Sequence, residues 1–203
     1  MEILIDEEWL KTLYDILIRI YSDTERPIVS GFPIVLDYDE GLLSVCVERP
    51  RTVIGGKVLY PHILQRTAIL MHSIISFHPF VDGNKRAALL AASFYLHWNG
   101  YHLKIPKDAD SFTIDVAIGK FGVNDILTWL KNNVRRTPKT VVNHWICSIE
   151  MTATEFDPVP KRPENLPKTF FLPLDALLFF RYKIHEEKKR KRVTQTANGV
   201  RSP

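Results

Sequence analysis

The amino-acid sequence predicts a mainly α-helical fold with one small β-hairpin, and three observations support this prediction. Apolar residues recur at helical spacing in several segments of the chain. Residues 62–76 and 87–98 are apolar on almost every side, which is typical of buried helices. Gly55-Gly56 separates two short apolar runs, and paired glycines suit the positive φ angles of a two-residue hairpin turn.

In chain order, the first predicted helix covers residues 6–21 and begins with acidic residues, which the helix dipole favours in a first turn. Residues 22–40 are predicted to form a loop, because prolines and glycine interrupt them. A short helix over residues 41–48 should end before Pro50. The hairpin is predicted over residues 51–60, and a plain glycine loop is the alternative interpretation of that segment.

The rest of the chain predicts further short elements. Helices are expected over residues 111–118 and, capped by Asn124, over residues 125–134. Residues 140–150 are a further helix candidate, whereas residues 169–184 are ambiguous between a strand and a helix. Five of the thirteen prolines cluster in this part and predict an extended linker: Pro158, Pro160, Pro163, Pro167 and Pro173.

Composition restricts the classes of protein that this chain can represent. Hydrophobic residues make up 45% of its 203 residues and charged residues 25%, which is typical of an ordinary globular domain. Cys46 and Cys147 form no CxxC pair, so neither a disulfide framework nor structural zinc is predicted. The longest apolar run, residues 87–96, is too short to cross a bilayer, and the N-terminus is acidic where a signal peptide would be basic. We therefore expect a cytoplasmic protein without a membrane partner.

The stretch between the two predicted buried helices is short and strongly polar. Residues 78–86 read His-Pro-Phe-Val-Asp-Gly-Asn-Lys-Arg, and packing alone would not select so many polar groups there. Gly83 and Asn84 open the second helix, whose first backbone N–H groups and dipole attract anions. Lys85 adds a positive point charge, and Arg86 adds a planar guanidinium group whose paired N–H donors suit phosphate.

Two further residues of this stretch supply reactive groups. Asp82 offers the hard carboxylate oxygens that Mg²⁺ prefers beside phosphates. A histidine such as His78 can take a proton from an incoming hydroxyl, and a purely structural role in the loop is the alternative. A base, a metal ligand and an anion site within nine residues favour phosphoryl or nucleotidyl transfer.

Residues 78–86 resemble the signature of the Fic family, H-x-F-x-[DE]-G-N-x-R. Lys85, where most Fic proteins carry glycine, resembles the death-on-curing (Doc) branch of that family. The likeness extends over roughly residues 3–134. It implies a helical Fic/Doc fold with the hairpin as a flap beside the site, a C-terminal extension outside the likeness, ATP as co-substrate and Mg²⁺ as cofactor.

The resemblance implies a role for each motif residue. His78 would be the catalytic base, Asp82 the Mg²⁺ ligand and Phe80 a core anchor. Four residues would bind the phosphates of the nucleotide: Gly83, Asn84, Lys85 and Arg86. Tyr14 stands where relatives often carry His, and no role is predicted for it. Leu89 stands where many AMP-transferring relatives carry Arg.

Lys85 and Leu89 together favour transfer of the γ-phosphoryl group of ATP to a Ser or Thr hydroxyl of a protein. AMP transfer by the same site is one alternative. A catalytically inactive Fic-fold binding module, with a basic tail that binds nucleic acid, is the alternative from another class. The sequence lacks the pattern [ST]-x-x-x-E-[GN] of self-inhibited Fic proteins, so we expect restraint by a separate small antitoxin, as in toxin–antitoxin pairs.

Three regions are predicted along the chain. Residues 1–135 form the catalytic domain, residues 136–185 a C-terminal extension with the proline-rich linker, and residues 186–203 a basic tail expected to be disordered. The net charge is −2 over residues 1–135 and +6 over residues 136–203. Any contact with nucleic acid would therefore belong to the C-terminal part.

Overall fold

The computed structural model of the protein describes residues 4–22 and 37–137. Helices dominate these residues, and the strands are two or three residues long. The elements are α1 (Glu7–Ser22), α2 (Glu40–Glu48), a 3₁₀ turn (Arg49–Arg51), β1 (Val53–Ile54), β2 (Lys57–Val58), α3 (Ile63–Phe77), α4 (Asn84–Trp98), β3 (Tyr101–Leu103), α5 (Ala109–Ala117), α6 (Val123–Asn133) and β4 (Val134–Arg136). The mainly α fold with a small hairpin is confirmed.

Helices α3 and α4 pack against each other at the centre of the described part. Helices α2, α5 and α6 pack on α3, and α1 packs on α4. The core contains large side chains that are almost fully inaccessible to solvent: Leu10, Leu13, Leu17, Leu70, Met71, Ile74, Ile75, Leu89, Phe94 and Tyr95. Because the core fixes both central helices, it also fixes the two ends of residues 78–83, which join them.

Helix α1 begins where its sequence predicts. The carboxylate of Asp6 accepts a hydrogen bond from the Trp9 backbone N–H at 2.9 Å, which satisfies one of the orphan donors of the first turn. The Trp9 ring then meets Trp98 of α4 edge to face, with ring centroids 4.6 Å apart. An exposed ion pair between Lys11 and Glu40, 2.8 Å long, links α1 to α2, and a pair of this kind contributes little stability.

The helix predicted over residues 125–134 is wrong at both ends. Helix α6 already includes Asn124, and the residue before the helix is Gly122, whose N–H donates to the Asp125 carboxylate at 2.8 Å. Asp125 therefore takes the capping role that the sequence analysis gave to Asn124. At the other end, Val134 adopts extended backbone (φ −101°, ψ 138°) and begins strand β4.

Strand β4 pairs with β3 in an antiparallel sheet that the sequence analysis did not predict. Leu103 lies opposite Val134, and both side chains are buried, so tertiary packing overrides the helical pattern at the end of α6. Thr137 extends the contact, because its N–H donates to the Gly100 carbonyl at 2.9 Å. The predicted domain boundary after residue 135 thus falls inside a strand.

Predictions for residues 23–36 and 138–203 lie outside the described residues. They include most of the loop before α2, the C-terminal helix candidate, the proline-rich linker and the basic tail. In the part of the chain that the structure describes, no helix is long and apolar enough to span a membrane.

Candidate active site

His78 ends α3 in a backbone conformation that few side chains adopt. Its φ of 54° and ψ of 56° lie in the left-handed region, and it is the one non-glycine residue with positive φ among those described. Such a conformation costs about 1–2 kcal/mol for a residue with a β-carbon. The bend ends the helix, and the His78 side chain is exposed at the surface, whereas Pro79 and Phe80 after it are buried. Strain of this kind recurs at functional sites.

Among the described residues, the His78 ring has one hydrogen-bond contact, between Nδ1 and the Ser76 carbonyl at 3.3 Å. A carbonyl oxygen only accepts, so this contact requires the hydrogen to be on Nδ1. Nε2 then carries the free lone pair, as a general base requires. The bond is long, and it orients the ring without burying it.

Asn84, the first residue of α4, closes the loop by bonding back to Phe80. Its Oδ1 accepts from the Phe80 backbone N–H at 3.0 Å, and its Nδ2 donates to the Phe80 carbonyl at 2.7 Å. Asn84 is 6% exposed and Phe80 is 2% exposed, so both bonds are shielded from water. Both polar groups of this side chain are thus used to shape the loop, and the backbone N–H remains for an anion.

A second segment runs beside the loop. The Asp39 N–H donates to the Pro79 carbonyl at 2.8 Å, and the Val81 N–H donates to the Asp37 carbonyl at 3.3 Å. These two bonds make residues 37–39 an antiparallel partner of residues 79–81. The loop is therefore held at its side as well as at its two ends.

Asp82 points one carboxylate oxygen back at the chain. Its Oδ1 accepts from the Gly83 N–H at 2.6 Å, whereas no hydrogen bond engages Oδ2 among the described residues. The side chain is half-exposed. A single accessible carboxylate beside an anion site suits Mg²⁺, which keeps most of its waters and binds one or two carboxylates plus substrate phosphates. The residues present therefore fit the predicted metal.

The N-terminus of α4 is the part of the site that could hold an anion. Gly83 precedes the helix with φ 76° and ψ 11°, a left-handed conformation that glycine adopts without strain, and among the described residues no side chain caps the helix. The first N–H groups of a 15-residue helix therefore face outward with its positive dipole end. Lys85 is exposed and Arg86 is half-buried beside them.

Comparison with known proteins identifies this arrangement. Residues 4–96, which include the whole loop between α3 and α4, match the model of the Fic/DOC family. Over these residues the chain is similar to the Fic/DOC family. A protein named Toxin Doc, from Mycolicibacterium smegmatis, is 42% identical over 72 residues, which are 36% of this chain and 55% of that protein. The chain thus spans about half the length of this curated relative.

The segment that matches the Fic/DOC model carries the predicted hairpin between α2 and α3. Gly55 and Gly56 have φ angles of 56° and 76°, as a two-residue type I′ turn requires. Val53 pairs with Val58, and Ile54 pairs with Lys57. Four apolar side chains of the hairpin remain 45–62% exposed: Val53, Ile54, Val58 and Leu59. The hairpin therefore presents apolar surface and, among the described residues, two unpaired strand edges.

Arg49 fixes the root of this hairpin to the end of α3 that carries the histidine. Its carbonyl accepts from the backbone N–H and the hydroxyl of Thr52. Its guanidinium donates to Ser73 Oγ at 2.8 Å and lies 5.0 Å from the centre of the Phe77 ring. Phe77 immediately precedes His78, so the hairpin is anchored within one helical turn of that residue.

The loop thus brings the predicted site residues together, and Phe80 is buried as predicted. The sequence analysis missed two partners of the loop, residues 37–39 and Tyr14 of α1. Around residues 37–39, glycine and prolines predicted only a plain loop. Tyr14 was missed because it lies among the apolar residues of α1. Burial raises the pKa of Cys46 to about 12, so the thiol of this residue stays protonated near neutral pH.

Proposed function

We propose that this site transfers the γ-phosphoryl group of ATP to a Ser or Thr hydroxyl of a protein. The observation that carries the proposal is the combination of an exposed His78, with Nε2 available, and an uncapped helix N-terminus at the end of the same loop. The first group can take a proton and the second can hold phosphates. The match of residues 4–96 to the Fic/DOC family model supports the same class of reaction.

The steps follow from these positions. The hydroxyl oxygen of the target attacks the γ-phosphorus, the bond from that phosphorus to the bridging oxygen breaks, and ADP leaves with the electron pair. The hydroxyl proton passes to Nε2 of His78. The first N–H groups of α4, with Lys85 and Arg86, hold the phosphates in line with the attacking oxygen. Mg²⁺ bound beside Asp82 would neutralise charge on the phosphates.

Two residues favour phosphoryl transfer over AMP transfer. Leu89 lies three residues after Arg86 and is 1% exposed, so this position of α4 packs in the core and offers no cation to a nucleotide. Lys85 is exposed at the start of the helix, where it can place a charge on the terminal phosphates. Because the cationic side chains of the site, Lys85 and Arg86, both lie at the helix N-terminus, the site suits a reaction at a single phosphate of ATP.

ATP labelled at either the γ or the α phosphate provides the test. The purified chain is incubated with each form, Mg²⁺ and a cell lysate, and protein-bound label is measured. We expect label from γ-labelled ATP alone, because ADP retains the α phosphate. Label from α-labelled ATP would show AMP transfer instead. Absence of label from both forms, together with salt-sensitive retention of nucleic acid, would support the binding module.

We also propose that the hairpin aligns the target by strand addition. Its exposed edge can pair with an extended segment and bring a hydroxyl to His78. In this hairpin, Leu59 N–H bonds to the Thr52 carbonyl at 2.9 Å, so the alternation of the ladder directs the N–H groups of Val53 and Val58 outward. These outward groups are the ones that a target strand would use.

Proline substitutions separate this role from the fold of the hairpin. Val53→Pro and Val58→Pro each remove one outward N–H and leave the internal ladder bonds in place. We expect the variant on the docking edge to raise the KM for the protein target about tenfold or more, with the affinity for ATP unchanged. Val53→Ala and Val58→Ala are the matched controls, since they shorten the side chain and keep the N–H. Full activity of both proline variants would contradict strand addition.

The relative named Toxin Doc supports a further proposal, that this chain is a toxin restrained by a small antitoxin protein. Glu40, one of two glutamates followed by glycine or asparagine, pairs with Lys11 at 2.8 Å and is therefore engaged elsewhere. The second, Glu164, lies outside the described residues. Leu89 also leaves no arginine for an inhibitory glutamate at that position. Because no inhibitory glutamate is indicated among the described residues, we propose that a separate partner protein restrains the activity.

A further inference from the structure

Residues 37–39 form a short strap along the loop between α3 and α4. Two backbone hydrogen bonds, of 2.8 Å and 3.3 Å, join the strap to the loop. The first engages the carbonyl of Pro79, which follows His78, and the second engages the N–H of Val81, which precedes Asp82. The strap therefore helps to set the spacing between the imidazole and the carboxylate, and any group that fixes the strap also acts on that spacing.

Lys11 of α1 contacts the strap and the residue that follows it. Its Nζ donates to both carboxylate oxygens of Glu40, at 2.9 Å and 2.8 Å. The same Nζ lies 4.9 Å from the centre of the Tyr38 ring, within the range of a cation–π interaction. One ammonium group therefore holds the side chains on both sides of Asp39 in the chain.

Helix α1 is a firm support for this contact, because it packs on α4 and also touches the loop. Tyr14, one turn after Lys11, stacks on Phe80 with ring centroids 4.0 Å apart. Tyr38 of the strap is in turn the backbone partner of Phe80. Residues three apart lie on the same face of a helix, so one face of α1 supports both the loop and the strap.

Stability and helix capping do not account for the contact of Lys11 with Glu40. The Glu40 side chain is 64% exposed, and exposed ion pairs contribute little to stability. The first turn of α2 already has a cap, because the Asp39 carboxylate accepts from the Leu42 N–H at 2.9 Å. What the contact does supply is a fixed place for the strap, since it joins the strap to a helix of the core.

We infer that Lys11 is a positioning residue, which holds the strap and, through it, the spacing of His78 and Asp82. The path has two steps: the ammonium fixes the strap, and the two backbone bonds of the strap fix Pro79 and Val81. Phosphoryl transfer depends on the alignment of the reacting groups, so a loosened strap lowers the rate of transfer. The inference rests on the proposed function for its effect on the rate.

Amide hydrogen exchange, measured by NMR, tests the first step without any need for transfer. The amides of Asp39 and Val81 are the donors of the two bonds between strap and loop, so their exchange reports on its attachment. Lys11→Met removes the ammonium and keeps a side chain of similar helix propensity. We expect both amides to exchange about two- to fivefold faster, the range that loss of an exposed ion pair allows. Unchanged exchange at either amide would overturn the inference.

A double-mutant cycle separates the ion pair from other effects of the substitution. Glu40→Gln should also speed the exchange of the two amides, because it removes the charge that holds Lys11. The variant with both substitutions should exchange no faster than Lys11→Met alone, since the same contact is lost only once. Additive effects would show that the two side chains act independently, and would overturn the inference.

Steady-state kinetics of label transfer tests the second step. We expect kcat of Lys11→Met to fall about two- to fivefold, in line with the loosened strap, with the KM for ATP unchanged because the core holds the N-terminus of α4. A rise in KM with kcat unchanged, or faster exchange with both constants unchanged, would overturn the inference.

Lys120→Met is the matched control. Lys120 bonds to Asp115 at 2.9 Å and lies 5.2 Å from the centre of the Phe121 ring, so it makes the same two kinds of contact away from the strap. This variant should leave kcat and the exchange of both strap amides at the wild-type values, and an effect equal to that of Lys11→Met would overturn the inference. The two proposals fail differently: a wild-type chain that transfers no label contradicts the proposed function, whereas the Lys11 comparison is still read from exchange.

Discussion

His78→Ala should abolish transfer of the γ-phosphate while leaving the binding of ATP nearly intact. A general base contributes about 10²–10⁴-fold to the rate, and it does so in the transition state rather than in the bound ground state. The imidazole is exposed and, in the part of the chain that the structure describes, makes one long contact, so its removal leaves no buried group there without a partner. The measurement is the initial rate of label transfer together with the dissociation constant for ATP.

A control for this substitution is available at the other end of α3. His62 is exposed at the opposite end of α3, and His62→Ala should retain the wild-type rate. The toxin proposal adds a growth readout, in which expression of the wild-type chain alone arrests growth and His78→Ala relieves the arrest. Undiminished labelling by His78→Ala would remove this residue from the mechanism.

His78→Ala keeps the cost of the left-handed backbone, because alanine also has a β-carbon. His78→Gly removes both the imidazole and the strain. Equal loss of activity in the two variants, with higher stability for glycine, would assign the effect to the imidazole. A gain of about 1 kcal/mol in the free energy of unfolding is the expected difference between glycine and alanine here.

The sequence was sufficient to predict the elements that follow a local pattern. Periodicity located the buried helices, and Gly55-Gly56 located the hairpin turn. The order of residues 78–86 placed a histidine before a helix N-terminus, because the loop is too short to carry them apart. These features depend on interactions between residues that are close in sequence, so the sequence alone was enough to predict them.

Contacts between distant segments were not predictable in the same way. Strand β4 exists because Leu103, about thirty residues earlier, offers Val134 a buried partner. Tyr14 looks like one more apolar position of α1 until the loop is placed over it. Residues 37–39 lie in a segment whose prolines and glycine indicated only a loop. In each case the deciding partner is remote in sequence, and no local pattern marks it.

The contacts of the loop explain how a short polar segment can be rigid. Its ends continue two core helices, its side pairs with residues 37–39, and its underside rests on α1. Preorganisation of this kind matters because phosphoryl transfer depends on placing the attacking oxygen, the phosphorus and the leaving oxygen in line. A loop free to move would lose that alignment.

Asn84→Ala should lower the free energy of unfolding by about 2–4 kcal/mol and reduce transfer as well. The amide makes two shielded bonds to Phe80, and alanine would leave both a buried N–H and a buried carbonyl without partners, each at a cost of about 1–3 kcal/mol. The loop before α4 would then be free to change its conformation. Chemical denaturation measures the stability, and the labelling assay measures the rate.

Asn133→Ala is the matched control for this effect. Asn133 is half-buried in α6 and makes one bond of the same type, from Nδ2 to the Trp129 carbonyl at 2.9 Å, so its loss should cost about 1 kcal/mol or less. The comparison also decides between two roles for Asn84. If its side chain served only as a phosphate contact, Asn84→Ala would weaken the binding of ATP and leave stability at the wild-type value. Because the side chain bonds to Phe80, we expect instead a large loss of stability and a smaller change in the dissociation constant for ATP. The change in ATP binding should be small because the substitution leaves the backbone N–H of residue 84 in place.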